Sequence, residues 1–229
     1  MAHEDHSQPF FNALPPAVVA LALAVFAVEV PISAGERGYV GGPEAIGWRV
    51  EAMRDFAFFP AVLEWVFETG SWTSPELLRF LTYPFVHLSF THAIFVIVFL
   101  MALGKLVGEV FGNLAVLTIF FGCAVFGALV YAGLTGDTRQ LTGGYPSVYG
   151  LIGGYTFLLW TSYGAAGENQ YRAFTLIGFL LGLQLLFGVL FGASNDWVAE
   201  VAGFALGFGL GPFLARGGFR HLLARLRQR

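Results

Sequence analysis

Six apolar stretches, each near twenty residues long, decide most of what this chain can become. They run over 14–34, about 84–103, about 114–134, about 145–163, about 173–192 and about 197–215. A helix rises about 1.5 Å per residue, so roughly 20 residues cross the hydrocarbon of a bilayer. Inside hydrocarbon every backbone N–H and C=O must be satisfied within the chain, and a single segment achieves this only as a helix. The expected fold class is therefore all-α: a polytopic membrane protein with a six-helix transmembrane bundle. Composition agrees, because 12% of the residues are charged and 56% are hydrophobic. A soluble domain carries about 25% charged residues.

The flanks set the expected domain boundaries and orientation. Residues 1–13 form a short tail without Lys or Arg, so no signal peptide is expected and the first run is retained as a span. Residues 14–215 form the six-span domain, and 216–229 form a basic tail with Arg216, Arg220, Arg225, Arg227 and Arg229. Basic residues favour the cytoplasmic side. Both termini are thus expected in the cytoplasm, with a bacterial inner membrane as the expected location. Arg37, Arg49 and Arg54 fall on the opposite side, a mild conflict with that rule. They lie in a long loop, 35–80, where Ile46, Val50, Met53, Phe56, Ala57, Val62, Trp65 and Val66 recur at helical spacing. Mixed with Trp and charged residues, this pattern predicts helices lying in the interface.

Small residues four apart, as in Gly178/Gly182, Gly188/Gly192 and Gly203/Gly207/Gly211, predict close helix packing in lipid. The lone cysteine, Cys123, allows no disulfide within the chain and reads as a small apolar core residue.

Ionisable groups inside spans cost about 2.5–3.5 kcal/mol on insertion scales, so each needs an explanation. Glu29, His87 and Asp196 fall near span ends, where water is expected to reach them. His92 and Glu200 lie deeper and need partners from other helices, with Gln184 a neutral polar candidate. His87 and His92 are about 140° apart around a helix, so no shared metal site is expected.

Three stretches carry a family resemblance. In "RFLTYPFVHLSFTHAIFV" (79–96), Arg79 precedes His87 and His92, and Val96 follows four residues later. "GGYPSVYGLIGG" (143–154) opens the fourth span, and "AEVAGFALG" (199–207) lies in the sixth. Their order and spacing resemble the rhomboid intramembrane serine proteases over about 75–215. That resemblance implies a six-helix core and, for active members, a Ser–His dyad in which His takes the proton of the attacking hydroxyl. It also implies what is missing. Tyr145 stands at the nucleophile position, Glu200 at the general base, and Val96 at an oxyanion-stabilising Asn, while His92 is retained. Gly150, Gly203 and Gly207 match the packing positions. Ser147 follows Tyr145 by two residues, about 200° around the helix, and so points away from the dyad position.

No catalytic residues, cofactor or metal are then expected. The leading expectation is an inactive family member that binds transmembrane helices of other proteins or serves a larger membrane complex. Its partners would be the bilayer and such helices, not nucleic acid. The competing expectation is an active serine protease with Ser147 as a displaced nucleophile. A minor one is a proton or solute path through His92, Tyr145 and Glu200. The paired change at the dyad positions predicts a structural hydrogen bond between Tyr145 and Glu200, with His92 a further partner and Tyr149 packed one turn below.

Overall fold

Prolines and glycines punctuate the apolar runs, and the helices start and stop where they stand. The computed structural model describes residues 13–191 and 194–215. α1 (Pro16–Glu36) opens on a Pro pair, which suits a first turn whose N–H groups have no helical partner. Asn113 Oδ1 accepts the Ala17 N–H at 3.1 Å and satisfies one of them. α2 (Trp48–Phe56), α3 (Pro60–Thr69) and the short α4 (Arg79–Thr82) lie in the first loop. α5 (Phe90–Phe111) is capped by Ser89, whose Oγ accepts the His92 N–H at 3.2 Å. Gly112, at φ 90°, reverses the chain directly into α6 (Asn113–Thr135), and Gly136 ends that helix at φ 58°. α7 (Tyr145–Ala165), α8 (Thr175–Phe191) and α9 (Trp197–Leu214) complete the described chain. The basic tail at 216–229 lies outside the described residues, as do most of the residues of the expected N-terminal tail.

Among the described residues five segments are long and apolar enough to cross a membrane: Pro16–Glu36, Phe90–Phe111, Asn113–Thr135, Gln170–Leu190 and Trp197–Leu214. α7 has the length, at 21 residues, but carries Ser, Thr, Tyr and Gly throughout. It tolerates this because protein, not lipid, surrounds its first half: every residue from Pro146 to Gly154 is buried. α7 packs most extensively against α9 and α6, with α5 and α1 closing the far side of the core. The second span begins at Phe90 rather than near 84, because Pro84 and the Ser89 cap delay the helix.

Glycine decides how close α7 and α9 come. A Cβ on Gly203 would collide with the Pro146 carbonyl oxygen, and one on Gly207 with that of Gly150. Gly211 approaches the Phe157 ring in the same way. The expectation of close packing holds on α9 and fails for Gly178/Gly182 on α8, while Gly192 of the pair Gly188/Gly192 lies outside the described residues. Gly178 and Gly182 face open space, and only 11% of the α8 span is buried, against 50% for α6. Spacing alone does not say whether a glycine stripe has a neighbour.

The first loop is helical, as expected, but the residue that α2 buries is charged. α2 turns Arg49 into the protein and leaves Ile46, Val50 and Phe56 outward, an arrangement suited to an outer surface in contact with lipid. Hydrogen bonds hold the loop together and dock it on the bundle. Phe58 and Leu141 pair backbone to backbone at 3.1 and 2.8 Å. Thr82 Oγ1 donates to the Phe56 carbonyl at 3.0 Å, and the Arg79 guanidinium to those of Arg54 and Ala57. The Tyr83 hydroxyl donates to the Ala124 carbonyl at 2.8 Å.

This cover corrects two expectations. Glu29 and His87, placed by the sequence at water-reached span ends, are 1% and 0% exposed. Arg49, one of the three arginines of this loop, spends its charge inside the protein. Its Nη2 and Nη1 grip Glu29 Oε1 and Oε2 at 2.8 and 3.1 Å, and its Nε donates to Glu36 Oε1 at 2.6 Å.

Candidate functional site

The N-terminal ends of α5, α7 and α9 meet at one end of the bundle. His92 sits in the first turn of α5, Tyr145 opens α7, and Glu200 sits in the first turn of α9. All three line one cavity of about 220 Å³, together with Ser89, Thr142 and Asp196. The sequence places these three groups on separate spans, and the fold brings them together.

Their pairing differs from the expected one. The Tyr145 ring stacks on the His92 imidazole, with centroids 5.0 Å apart and planes 16° from parallel. Glu200, 7% exposed, accepts a hydrogen bond from Gln184 Nε2 at 2.7 Å. Among the described residues no hydrogen bond joins Tyr145 to Glu200. Tyr145, at the start of α7, is turned onto His92 instead, and Glu200 takes its donor from Gln184 of α8.

The His92 ring is fixed from two further sides. Its Nδ1 accepts the Leu88 N–H at 3.3 Å. A ring nitrogen that accepts is unprotonated, so the neutral imidazole carries its proton on Nε2. Gly143, at φ 84°, presses against this ring so closely that a Cβ there would touch His92 Cε1. His87 stands edge-on behind it at 5.2 Å. His87 lies outside the α5 span, and burial, reinforced by His92 beside it, pushes its pKa down to about 3. It is therefore a neutral packing group.

Val96 is fully buried one turn below His92, where its Cγ1 meets the backbone of Gly144. It offers the cavity no polar donor. Ser147 is fully buried on another face of α7, and its Oγ donates to the Phe120 carbonyl of α6 at 2.7 Å. It does not line the cavity with His92 and Glu200. Gly150 packs on Cys123, so these two form one tight contact between α7 and α6. Among the described residues no group of three or more His, Cys, Asp or Glu side chains could hold a metal ion.

Sequence reasoning missed the cluster behind the site. Arg49 Nη1 donates to the His87 carbonyl at 2.7 Å, and Nη2 to Ser33 Oγ at 3.1 Å. Burial alone would lower the Arg49 pKa, but its hydrogen bonds to the Glu36 and Glu29 carboxylates outweigh it and raise the pKa above its usual value. A signal was present. Glu29, Ser33 and Glu36 share one face of an otherwise apolar helix, a polar stripe that requires a cation from elsewhere.

Residues 74–217, well over half of the chain, match the family model described as Rhomboid domain. No curated protein matches the chain.

Proposed function

The chain belongs to the rhomboid family and departs from the pattern of its proteases at Tyr145, Glu200 and Val96, and we propose that this member is catalytically inactive and binds transmembrane helices of partner proteins, alone or as an accessory subunit of a membrane complex. The observation that carries this reading is the state of the dyad positions. Glu200 is engaged by Gln184, and the Tyr145 ring is stacked on His92. The nearest serine on α7 is turned to Phe120. General-base catalysis needs a base within about 2.6–3.2 Å of the proton it takes. Neither Tyr145 nor Ser147 has such a base. Val96 also withholds a donor of the kind whose loss costs about 10²–10³ in rate.

Helix binding draws its support from the surface. α8 leaves most of its span outward, with Leu185, Val189 and Leu190 more than half exposed. Such a face, next to a polar cavity, suits a partner helix with a polar or kinked segment near the interface.

The test uses the full chain reconstituted in liposomes with a fluorescent transmembrane peptide that contains a helix-breaking segment. Proximity transfer to a probe at the cavity mouth, with the peptide intact after long incubation, is the expected result. Cleavage that disappears in Ser147→Ala would replace this proposal with the protease reading.

A further inference from the structure

The end of the bundle away from the cavity carries a second, amphiphilic groove. There α7 ends and the chain returns through the turn Gln170–Phe174 into α8. A groove of about 460 Å³ opens between them, lined by Leu159, Tyr163, Arg172, Thr175, Leu176 and Phe179. Its composition is graded along the helix axis. Arg172 and Thr175 lie at the helix-end level, while Leu176 and Phe179 continue up α8 and Leu159 lies one turn further into α7 than Tyr163. One end can hold a charged head, and the walls suit a hydrocarbon chain. Phe179 is 66% exposed, so the groove opens sideways toward lipid.

The polar end is a charge pair rather than a net charge. Arg172 Nη1 donates to Glu168 Oε2 at 3.2 Å, and the guanidinium stands 5.6 Å over the Tyr163 ring. The two side chains are 65% and 50% exposed, so each keeps bonding capacity toward a ligand. A guanidinium has five N–H donors in a planar fork suited to phosphate, and a carboxylate accepts about four hydrogen bonds. We propose that this groove binds a zwitterionic aminophospholipid, with the phosphate on Arg172, the primary ammonium on Glu168 and an acyl chain along Leu159, Leu176 and Phe179.

The chemistry separates this ligand from other lipids. A quaternary ammonium headgroup has no N–H to donate to Glu168. A headgroup with net negative charge gains Arg172 but meets an uncompensated carboxylate. A soluble metabolite has nothing to place on the apolar wall. This site is independent of helix binding at the cavity.

Native mass spectrometry of the full chain tests it, with phosphatidylethanolamine, phosphatidylcholine and phosphatidylglycerol of matched acyl chains offered in equal amounts. Several-fold preferential retention of phosphatidylethanolamine is expected. Glu168→Gln should erase that preference and raise retention of phosphatidylglycerol, whereas Arg172→Gln should lower retention of all three. Both residues are exposed, so neither change threatens the fold. Equal retention of the three lipids, a preference for the anionic one, or a preference unchanged in Glu168→Gln would overturn the proposal.

Discussion

Replacing Arg49 with Met should destabilise the protein by about 3–5 kcal/mol, the usual effect of breaking a buried ion pair from one side. The structure indicates why the effect is large here. The Arg49 and Glu29 side chains are only 6% and 1% exposed, so water screens neither. Arg49 reaches both Glu29 oxygens, Ser33 Oγ and the His87 carbonyl, and its removal leaves the Glu29 carboxylate with Ser33 as its remaining hydrogen-bond donor. The second carboxylate, Glu36, is 37% exposed and can turn to water, so it adds less. The double change Arg49→Met with Glu29→Gln removes the stranded charge and should recover most of the loss. Arg49→Lys should fall between, because an ammonium keeps the charge but not the bidentate fork. Denaturant titration in detergent micelles, followed by tryptophan fluorescence, measures all four proteins. A loss below about 1 kcal/mol in Arg49→Met, or no recovery in the double variant, would refute the claim that this cluster fastens the first loop to α1 and to the histidine segment.

Four further outcomes follow from the same geometry. Gly207→Val should abolish folded protein in size-exclusion chromatography, because its side chain would enter the Gly150 backbone, whereas Gly178→Ala on the open face of α8 should be neutral. Ser147→Ala should cost about 1 kcal/mol in the same titration, the worth of its bond to Phe120, and leave peptide binding unchanged. Gln184→Leu should loosen α8, seen as faster hydrogen exchange across 175–190, since Gln184 holds Glu200 from that helix. Acid should weaken the fold through His87: its folded pKa of about 3 lies below the ordinary 6.5, so the unfolded chain binds more protons between these values. The thermal midpoint should fall as pH drops from 6.5 toward 3, and His87→Phe should flatten that part of the profile.

The apolar runs, with the prolines and glycines that punctuate them, determined the helices and much of their ends. Backbone satisfaction in hydrocarbon leaves little choice, and the signal is local. The motifs over 79–96, 143–154 and 199–207 also named the groups that meet at the cavity, and helical geometry turned Ser147 away from it. Facing was not legible. In water a buried face differs chemically from an exposed one, but against lipid both are apolar, so Gly178 on α8 and Gly207 on α9 look alike in sequence. Partner choice among buried polar groups was equally hidden. Glu29 needed a cation, and only the fold supplied Arg49, 20 residues away on another helix. Glu200 needed a donor, and the packing of α8 beside α9 gave it Gln184 rather than Tyr145. Such bonds depend on where two helices stop sliding past each other, and shape complementarity over the whole interface decides that, not the residues on either side of the bond.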